Sequence, residues 1–310
     1  MIGMMIVTIL GLILFETVSS IDNAIINAEV LGTMGAKARK WFLTWGIFLA
    51  VFVVRGLLPW LIIWFATPGI GPVEALMATF SDDLRVIEAI ETAKPPLLMA
   101  GGVFLILLFI HWLFLEPKNF GLPGERFFAR HGAWFYALAS ILLLGLVGMA
   151  GRVSEHLSFA AVIGSTAFFI TNGFKQNAEA KESGLAGSAL SDMSKLLYLE
   201  MIDLTFSIDG VLGAFAFTLS VPLILVGNGI GAIVVRQLTV GNIENIRKLP
   251  YLKNGAMYSI LGLGTVMCLG GFGIEPPEWV TPVLTFVIIG WFFGKSVLAA
   301  RKPLQPANKP

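Results

Sequence analysis

The 310-residue sequence is short of charge, histidine and thiols. Only 13% of its residues are charged, where a soluble domain carries about 25%. So few ionic groups could not cover the surface of a water-soluble fold. The net charge of +1 leaves no basic face for phosphates, which excludes nucleic-acid binding as a main activity. The one cysteine, Cys268, supports neither a disulfide framework nor a thiolate metal cluster. No G-x-x-x-x-G-K-[ST] stretch occurs, which argues against a pump driven by nucleotide hydrolysis. The G-x-G-D motif expected of an intramembrane aspartyl protease is missing too, and the chain is not expected to be an enzyme. What fills the sequence instead is apolar: 56% of residues, with a mean hydropathy of +0.82. That composition implies an integral membrane protein. The opening MIGMMIVTILGLILFE has no basic flank or small-residue cleavage site, so it reads as a retained first helix and not a signal peptide.

A spanning helix needs roughly 20 mostly apolar residues. Nine stretches qualify: about 4–31, 41–66, 96–115, 133–151, 156–174, 194–219, 221–240, 254–274 and 279–300. The expected fold is an all-α polytopic bundle, a single membrane domain. Residues 4–115 form a first repeat, 116–193 a connection with two more spans, 194–300 a second repeat plus the last span, and 301–310 a cytoplasmic tail. Basic loops (Lys37, Arg39, Lys40; Lys118, Arg126, Arg130; Lys175, Lys181, Lys195; Arg247, Lys248, Lys253) alternate with acidic or neutral ones. By the positive-inside rule the N-terminus lies outside and the C-terminus in the cytoplasm, which suits a multi-pass inner-membrane protein. The loop 67–95 has amphipathic spacing in VEALMATF and LRVIEAIETA. The tryptophans Trp41, Trp60, Trp112, Trp134 and Trp279 read as interface belts, as does His111 next to Trp112.

Two apolar stretches carry acids at membrane depth. The first holds Glu16 and Asp22 in FETVSSIDNAIINAE; the second holds Glu200, Asp203 and Asp209 in LEMIDLTFSIDGVLGAFA. Each acid at the bilayer centre costs roughly 2.5–3.5 kcal/mol on insertion scales, so such groups persist where they meet a cation, a proton, a counter-charge or water. The structural alternative is pairing with Arg55 and Arg236, each in the span after an acidic one. Aligning Ser20-Ile21-Asp22 with Ser207-Ile208-Asp209 sets Glu16 opposite Asp203, each six residues before its aspartate, with an arginine following in both halves. The first copy enters the membrane from the side opposite to the second, so the repeat is inverted, the architecture that places binding sites near the midplane of transporters. On a straight helix Glu16 and Asp22 stand about 120° apart. This predicts a local break at Ser20–Asn23 and another at Ser207–Gly210. The surrounding groups are hydroxyls (Ser19, Ser20, Thr205, Ser207) and amides (Asn23, Asn27). An all-oxygen set favours hard cations, Mn²⁺ or alternatively Ca²⁺ or Mg²⁺.

FETVSSIDNAIINA resembles the E-x-x-x-S-x-D-N-A motif of the TerC family, and LEMIDLTFSIDGVLGAFA resembles its E-x-x-D-x-x-F-x-x-D motif. VVRGLLPWLIIW, VVRQLTV and YLKNGAMYSI are similar to the DUF475 branch of that family, within the superfamily of LysE-like exporters. The resemblance implies export of a metal ion, manganese or calcium, and an association with tellurium resistance. It assigns metal roles to Glu16, Asp22 and Asn23 in the first motif and to Glu200, Asp203 and Asp209 in the second. Ser20 and Ser207 complete the candidate set, with Arg55 and Arg236 as counter-charges. Gly210 stands where many members have serine, which removes a hydroxyl ligand. The expected activity is proton-coupled secondary transport, with the metal ion, protons and the lipid bilayer as partners. Assembly as a homo-oligomer or with other resistance proteins is a further expectation. An exporter of amino acids or small metabolites, and a membrane scaffold of a stress-response complex, are the alternatives.

Overall fold

The computed structural model describes residues 2–46, 48–78, 81, 83–185, 191–241 and 248–300. Among them there is no strand. The chain opens with α1 (Ile2–Ser19) and α2 (Ile21–Gly32), parted by a single residue, Ser20. The next crossing is composite: α3 (Ala36–Trp41), π-helical stretches Phe42–Gly46 and Leu49–Leu57, then α4 (Leu58–Ala66). Pro59 lacks the N–H that an α-helix would direct at the Arg55 carbonyl, and a widened turn before it accommodates the loss. A short α5 (Pro72–Met77) leads to α6 (Leu84–Leu115), α7 (Glu125–Arg130), α8 (Trp134–Gly151) and α9 (Glu155–Leu185). The second half holds α10 (Asp192–Ala214), α11 (Val221–Gly241), α12 (Leu252–Gly271) and α13 (Val280–Ala300).

Each expected span falls on a helical segment, and the described residues form an all-α membrane bundle. Among the described residues, five helices are long and apolar enough to cross a bilayer: Ile2–Ser19, Leu84–Leu115, Trp134–Gly151, Glu155–Gln176 and Val280–Ala300. Arg55–Ala66 and Val221–Gln237 are shorter apolar helices. Boundaries differ in three places. The helix expected from residue 96 begins at Leu84 and runs through Pro95 and Pro96, so LRVIEAIETA belongs to α6. The helix expected to end at residue 174 continues to Leu185, which takes Lys175 out of the loop and into α9. And α10 stops at Ala214, followed by a turn in which Phe217 N–H donates to the Ala214 carbonyl at 2.9 Å.

α6 is the central post, its apolar stretch almost wholly buried between α9 and α12. This overturns the interface reading of its last turns, since Trp112 is fully buried and His111 lies among Phe135 and Phe168, whereas Trp134 and Trp279 do face outward. Glycines allow the close approach on both sides of α6. A Cβ on Gly164 of α9 would sit 2.8 Å from the Ala100 carbonyl carbon and nearer still to its oxygen. One on Gly102 would sit 2.8 Å from the Cys268 nitrogen, 2.7 Å from its sulfur and 2.9 Å from the Gly264 carbonyl oxygen. Small residues at such crossings replace the hydrophobic drive that lipid cannot supply. The outer helices show the complementary composition. Tyr136, Ile141 and Leu144 of α8, Phe159, Ile163 and Phe174 of α9, and Val287 and Trp291 of α13 are all exposed, a surface suited to acyl chains. The loop after α6 is tied down by Glu125, whose buried carboxylate accepts from Gly121 N–H at 2.6 Å, Asn254 Nδ2 at 3.0 Å and Tyr258 Oη at 3.1 Å.

Candidate cation site

Glu16 lies in the last turn of α1 and is 1% exposed. One of its oxygens, Oε1, is saturated: Arg55 donates to it from Nε at 2.9 Å and from Nη2 at 2.5 Å, and Ser20 Oγ donates at 2.8 Å. The other oxygen, Oε2, is buried with no hydrogen-bond partner among the described residues. It points at α10, where a Cβ on Gly210 would come within 2.5 Å of it. On α11, a Cβ on Gly231 would lie 2.7 Å from the Glu16 Cβ. Glu16 is therefore seated in a slot that two glycines leave open. Glycine at position 210 has a steric reason: a side chain there would collide with the carboxylate that Arg55 and Ser20 hold in place.

Around that slot stand further oxygens. Asn228 of α11 is wholly buried; its Nδ2 reaches the Gly210 carbonyl at 3.4 Å, while its Oδ1 has no partner among the described residues. Ser207, one turn before Gly210 on α10, also has a buried hydroxyl without one among the described residues. Asp209, next to Gly210, receives Lys175 Nζ from α9 at 3.0 Å. The backbone is less broken than expected. Ser20 interrupts the first helix by one residue, yet Ser20 N–H still donates to Glu16 O at 3.1 Å and Ala24 N–H to Ser20 O at 3.0 Å. In α10 the expected break at Ser207–Gly210 is absent, because Gly210 serves close approach and not unwinding.

The other glutamate of the candidate set is elsewhere. Glu200 Oε1 lies 3.8 Å from Arg236 Nη2, and Arg236 also donates to the Phe42 carbonyl at 2.7 Å with its guanidinium 3.8 Å above the Phe42 ring. A glycine accompanies this pair too, since a Cβ on Gly46 would run into both Glu200 and Arg236. Each half thus contributes one glutamate–arginine pair seated against a glycine. By that measure Glu16 has a counterpart in Glu200. The side chains of Asp22, Asn23 and Asp203 lie outside the described residues. Among the described residues, no three acidic, histidine or cysteine side chains converge as a metal cluster. Glu16 Oε2 and Asn228 meet at Gly210 itself, and Ser207 and Asp209 are its neighbours along α10.

Sequence reasoning overlooked Lys175, Asn228 and a polar nest at the end of α6. There Glu116 Oε2 pairs with Lys253 Nζ at 2.9 Å. His111 Nδ1 stands 3.6 Å from Oε1, long for a hydrogen bond, and its Nε2 faces Gln176 Nε2 at 3.4 Å. A lysine followed directly by the amides Gln176 and Asn177 in GFKQNAEA looks like a helix end by composition, which is why Lys175 passed as a loop charge. Burial alone would raise the Glu116 carboxyl, but the His111 ring and the Lys253 and Lys175 charges outweigh it and hold the group well below the usual carboxylate range. A depressed folded-state value stabilises the fold above the unfolded value, about 4.3 for glutamate. Folding stability is therefore expected to fall as pH drops below about 4.3, with a smaller fall in Glu116→Gln. Thermal unfolding of the detergent-solubilised protein between neutral pH and acid checks this.

The family described as "Protein of unknown function (DUF475)" matches residues 21–303. A stretch of 85 residues is 32% identical to "Uncharacterized membrane protein YceF" of Bacillus subtilis (strain 168), covering 27% of this chain. The chain spans 33% of that relative's length. No solved structure matches.

Proposed function

The chain belongs to the DUF475 family, and for a membrane protein of that family with this site we propose secondary transport of a divalent metal cation out of the cell, Mn²⁺ before Ca²⁺ or Mg²⁺. The observation that carries the reading is the orphaned, fully buried Glu16 Oε2, which faces Gly210 beside Asp209. A buried acceptor without a partner costs about 1–3 kcal/mol, and more when it belongs to a charged group. Such a group is retained in apolar helices where a cation or proton satisfies it. The neighbouring acceptors, Asp209, Asn228 Oδ1 and Ser207 Oγ, are all oxygen, the donor set of hard cations. Carboxylates also exchange metal for protons, which couples export to the proton gradient. The resemblance to TerC proteins and the paired glutamate–arginine units of the two halves support alternating access at an inverted repeat. On this reading the protein lies in the cytoplasmic membrane with its basic loops and C-terminus inside.

The alternative that a specific observation favours is a membrane scaffold, in which the acids serve packing alone. Glu16, Glu200 and Asp209 each meet a resident cation, Arg55, Arg236 and Lys175. Reconstitution into liposomes with Mn²⁺ flux followed under an imposed pH gradient separates the two. Transport predicts uptake or release that reverses with the gradient and is lost in Glu16→Gln. Absence of flux for Mn²⁺, Ca²⁺ and Mg²⁺ alike would establish the scaffold.

A further inference from the structure

We propose that His111 is a proton-binding site that switches the end of α6 between two hydrogen-bonding arrangements. In one, the neutral ring accepts from the Gln176 amide at Nε2. In the other, the protonated ring donates from Nδ1 to Glu116, and the amide turns its oxygen toward Nε2–H. The inference stands apart from the transport reading. It starts from a misfit. The His111 side chain is only 7% exposed, yet its Nδ1 has no hydrogen-bond partner among the described residues. Glu116 Oε1 stands 3.6 Å away, too far for a hydrogen bond. A buried ionisable group left unsatisfied in a membrane bundle is retained where it serves a charge or a proton. The opposite nitrogen fixes the state of the ring. Gln176 Nε2 lies 3.4 Å from His111 Nε2, and an amide nitrogen can only donate. Nε2 is then the acceptor, and the one proton of the neutral ring sits on Nδ1, the reverse of free histidine in water.

A second proton can only go to Nε2, where the amide nitrogen opposes it. The ring is held in place, since Phe135 and Phe168 pack against it edge-on with centroids 5.4 and 6.0 Å away. Gln176 is the partner that can turn. It is exposed and ends the apolar span Glu155–Gln176, so water supplies the proton and solvates whichever end of the amide faces out. On the far side of the ring, the new charge draws Nδ1–H onto Glu116 Oε1, a charge-assisted contact of about 2.7–2.9 Å. Glu116 keeps its own charge throughout. Against its burial, the His111 ring and the Lys253 and Lys175 charges hold the carboxyl well below the usual range, whereas histidine is the side-chain type that changes charge between about pH 5 and 8. The other charged groups around the ring come from each packed helix. Lys253 of α12 is 2.9 Å from Glu116 Oε2; Lys175 precedes Gln176 on α9 and reaches Asp209 of α10 at 3.0 Å. Glu125 of α7 is engaged by Gly121, Asn254 and Tyr258, and Lys118 donates to the Trp112 and Leu113 carbonyls. α8 presents only the Phe135 ring. Acid therefore makes one carboxylate bridge His111 of α6 and Lys253 of α12 and reverses the amide of α9; alkali undoes both.

The test is nitrogen NMR of the full-length protein in liposomes, labelled with ¹⁵N-histidine. His131→Gln with His156→Gln leaves His111 as the one histidine of the chain, so its signals need no assignment. At about pH 8 the ring is expected as the Nδ1–H tautomer, and at about pH 5 as the doubly protonated form. In the same background Glu116→Gln is expected to weaken proton binding at the ring about tenfold, because an opposite charge this close favours the charged form. Gln176→Glu supplies a fixed acceptor at Nε2 and is expected to strengthen proton binding about tenfold. Gln176→Leu removes the donor and should abolish the preference for the Nδ1–H tautomer. A ring that merely packs between Phe135 and Phe168 would show none of these changes. If Glu116→Gln does not fold, the variants at the exposed Gln176 decide: tighter proton binding in the glutamate variant supports the proposal, and unchanged or weaker binding overturns it. An Nε2–H tautomer at about pH 8, or a ring still neutral at about pH 5, overturns it as well.

Discussion

Arg55→Met is expected to destabilise the protein by about 3–5 kcal/mol, the usual cost of removing one partner of a buried ion pair. The guanidinium contributes two of the three hydrogen bonds on Glu16 Oε1, and both side chains are nearly sealed from solvent. Its loss leaves a carboxylate whose second oxygen is already without a partner, so Glu16 must either take a proton or open the α1–α10 contact at Gly210. Arg55→Lys recovers only part of the loss, because one ammonium cannot reproduce the Nε and Nη2 contacts. The double variant Glu16→Gln with Arg55→Met removes both charges and should regain most of the stability. Melting temperatures of the four proteins in detergent, arranged as a double-mutant cycle, measure the coupling. If Arg55→Met melted with the native chain, the pair would have no structural weight and Glu16 would be free for cargo at no cost to the fold.

The second large effect is expected at Gly164. A valine there should prevent α9 from seating on α6, and the protein should fail to accumulate as a folded species. Overpacking usually costs about 1–3 kcal/mol because neighbouring side chains can shift. Here the obstacle is the Ala100 backbone inside a helix buried on both sides, which cannot move without shifting α12 across Gly102. Gly164→Ala, which adds only the offending Cβ, should fold with a clear loss of melting temperature. The control is Gly173→Ala on the same helix. Nothing lies within 4 Å of its added carbon, and replacing glycine within a helix gains up to about 1 kcal/mol. Equal behaviour of the two alanine variants would mean that α6 and α9 are not held at that distance. The seating of α9 also decides where Lys175 stands relative to Asp209.

These residues also mark how far the sequence could be read. The apolar stretches placed every span on a helix, because bilayer-length runs of such composition have few other solutions. The acids and the two arginines were visible as chemical misfits in apolar runs. Which acid meets which cation was not, because that depends on rotation of α1 against α10 and on the widened turns before Pro59. Lys175 was lost for a different reason: a lysine near the end of a hydrophobic stretch marks a loop by composition, and only the continuation of α9 brings it under Asp209. His111 and Trp112 have the signature of an interface pair, yet a helix surrounded by other helices has no interface to offer them. Gly210 read as a missing ligand. In the fold it is the space that Glu16 occupies.

The tight crossing of α6 and α12 has one more consequence. Cys268, the chain's single thiol, is packed against Gly102 and buried beneath it. A maleimide or spin-label reagent cannot reach a sulfur so enclosed, and the native protein therefore behaves toward such reagents as though it had no cysteine. New cysteines at outward positions such as Leu144 on α8 or Val287 on α13 can be labelled singly or in pairs without engineering the background. Distances between outer helices, with and without Mn²⁺, can then be followed in the unaltered core.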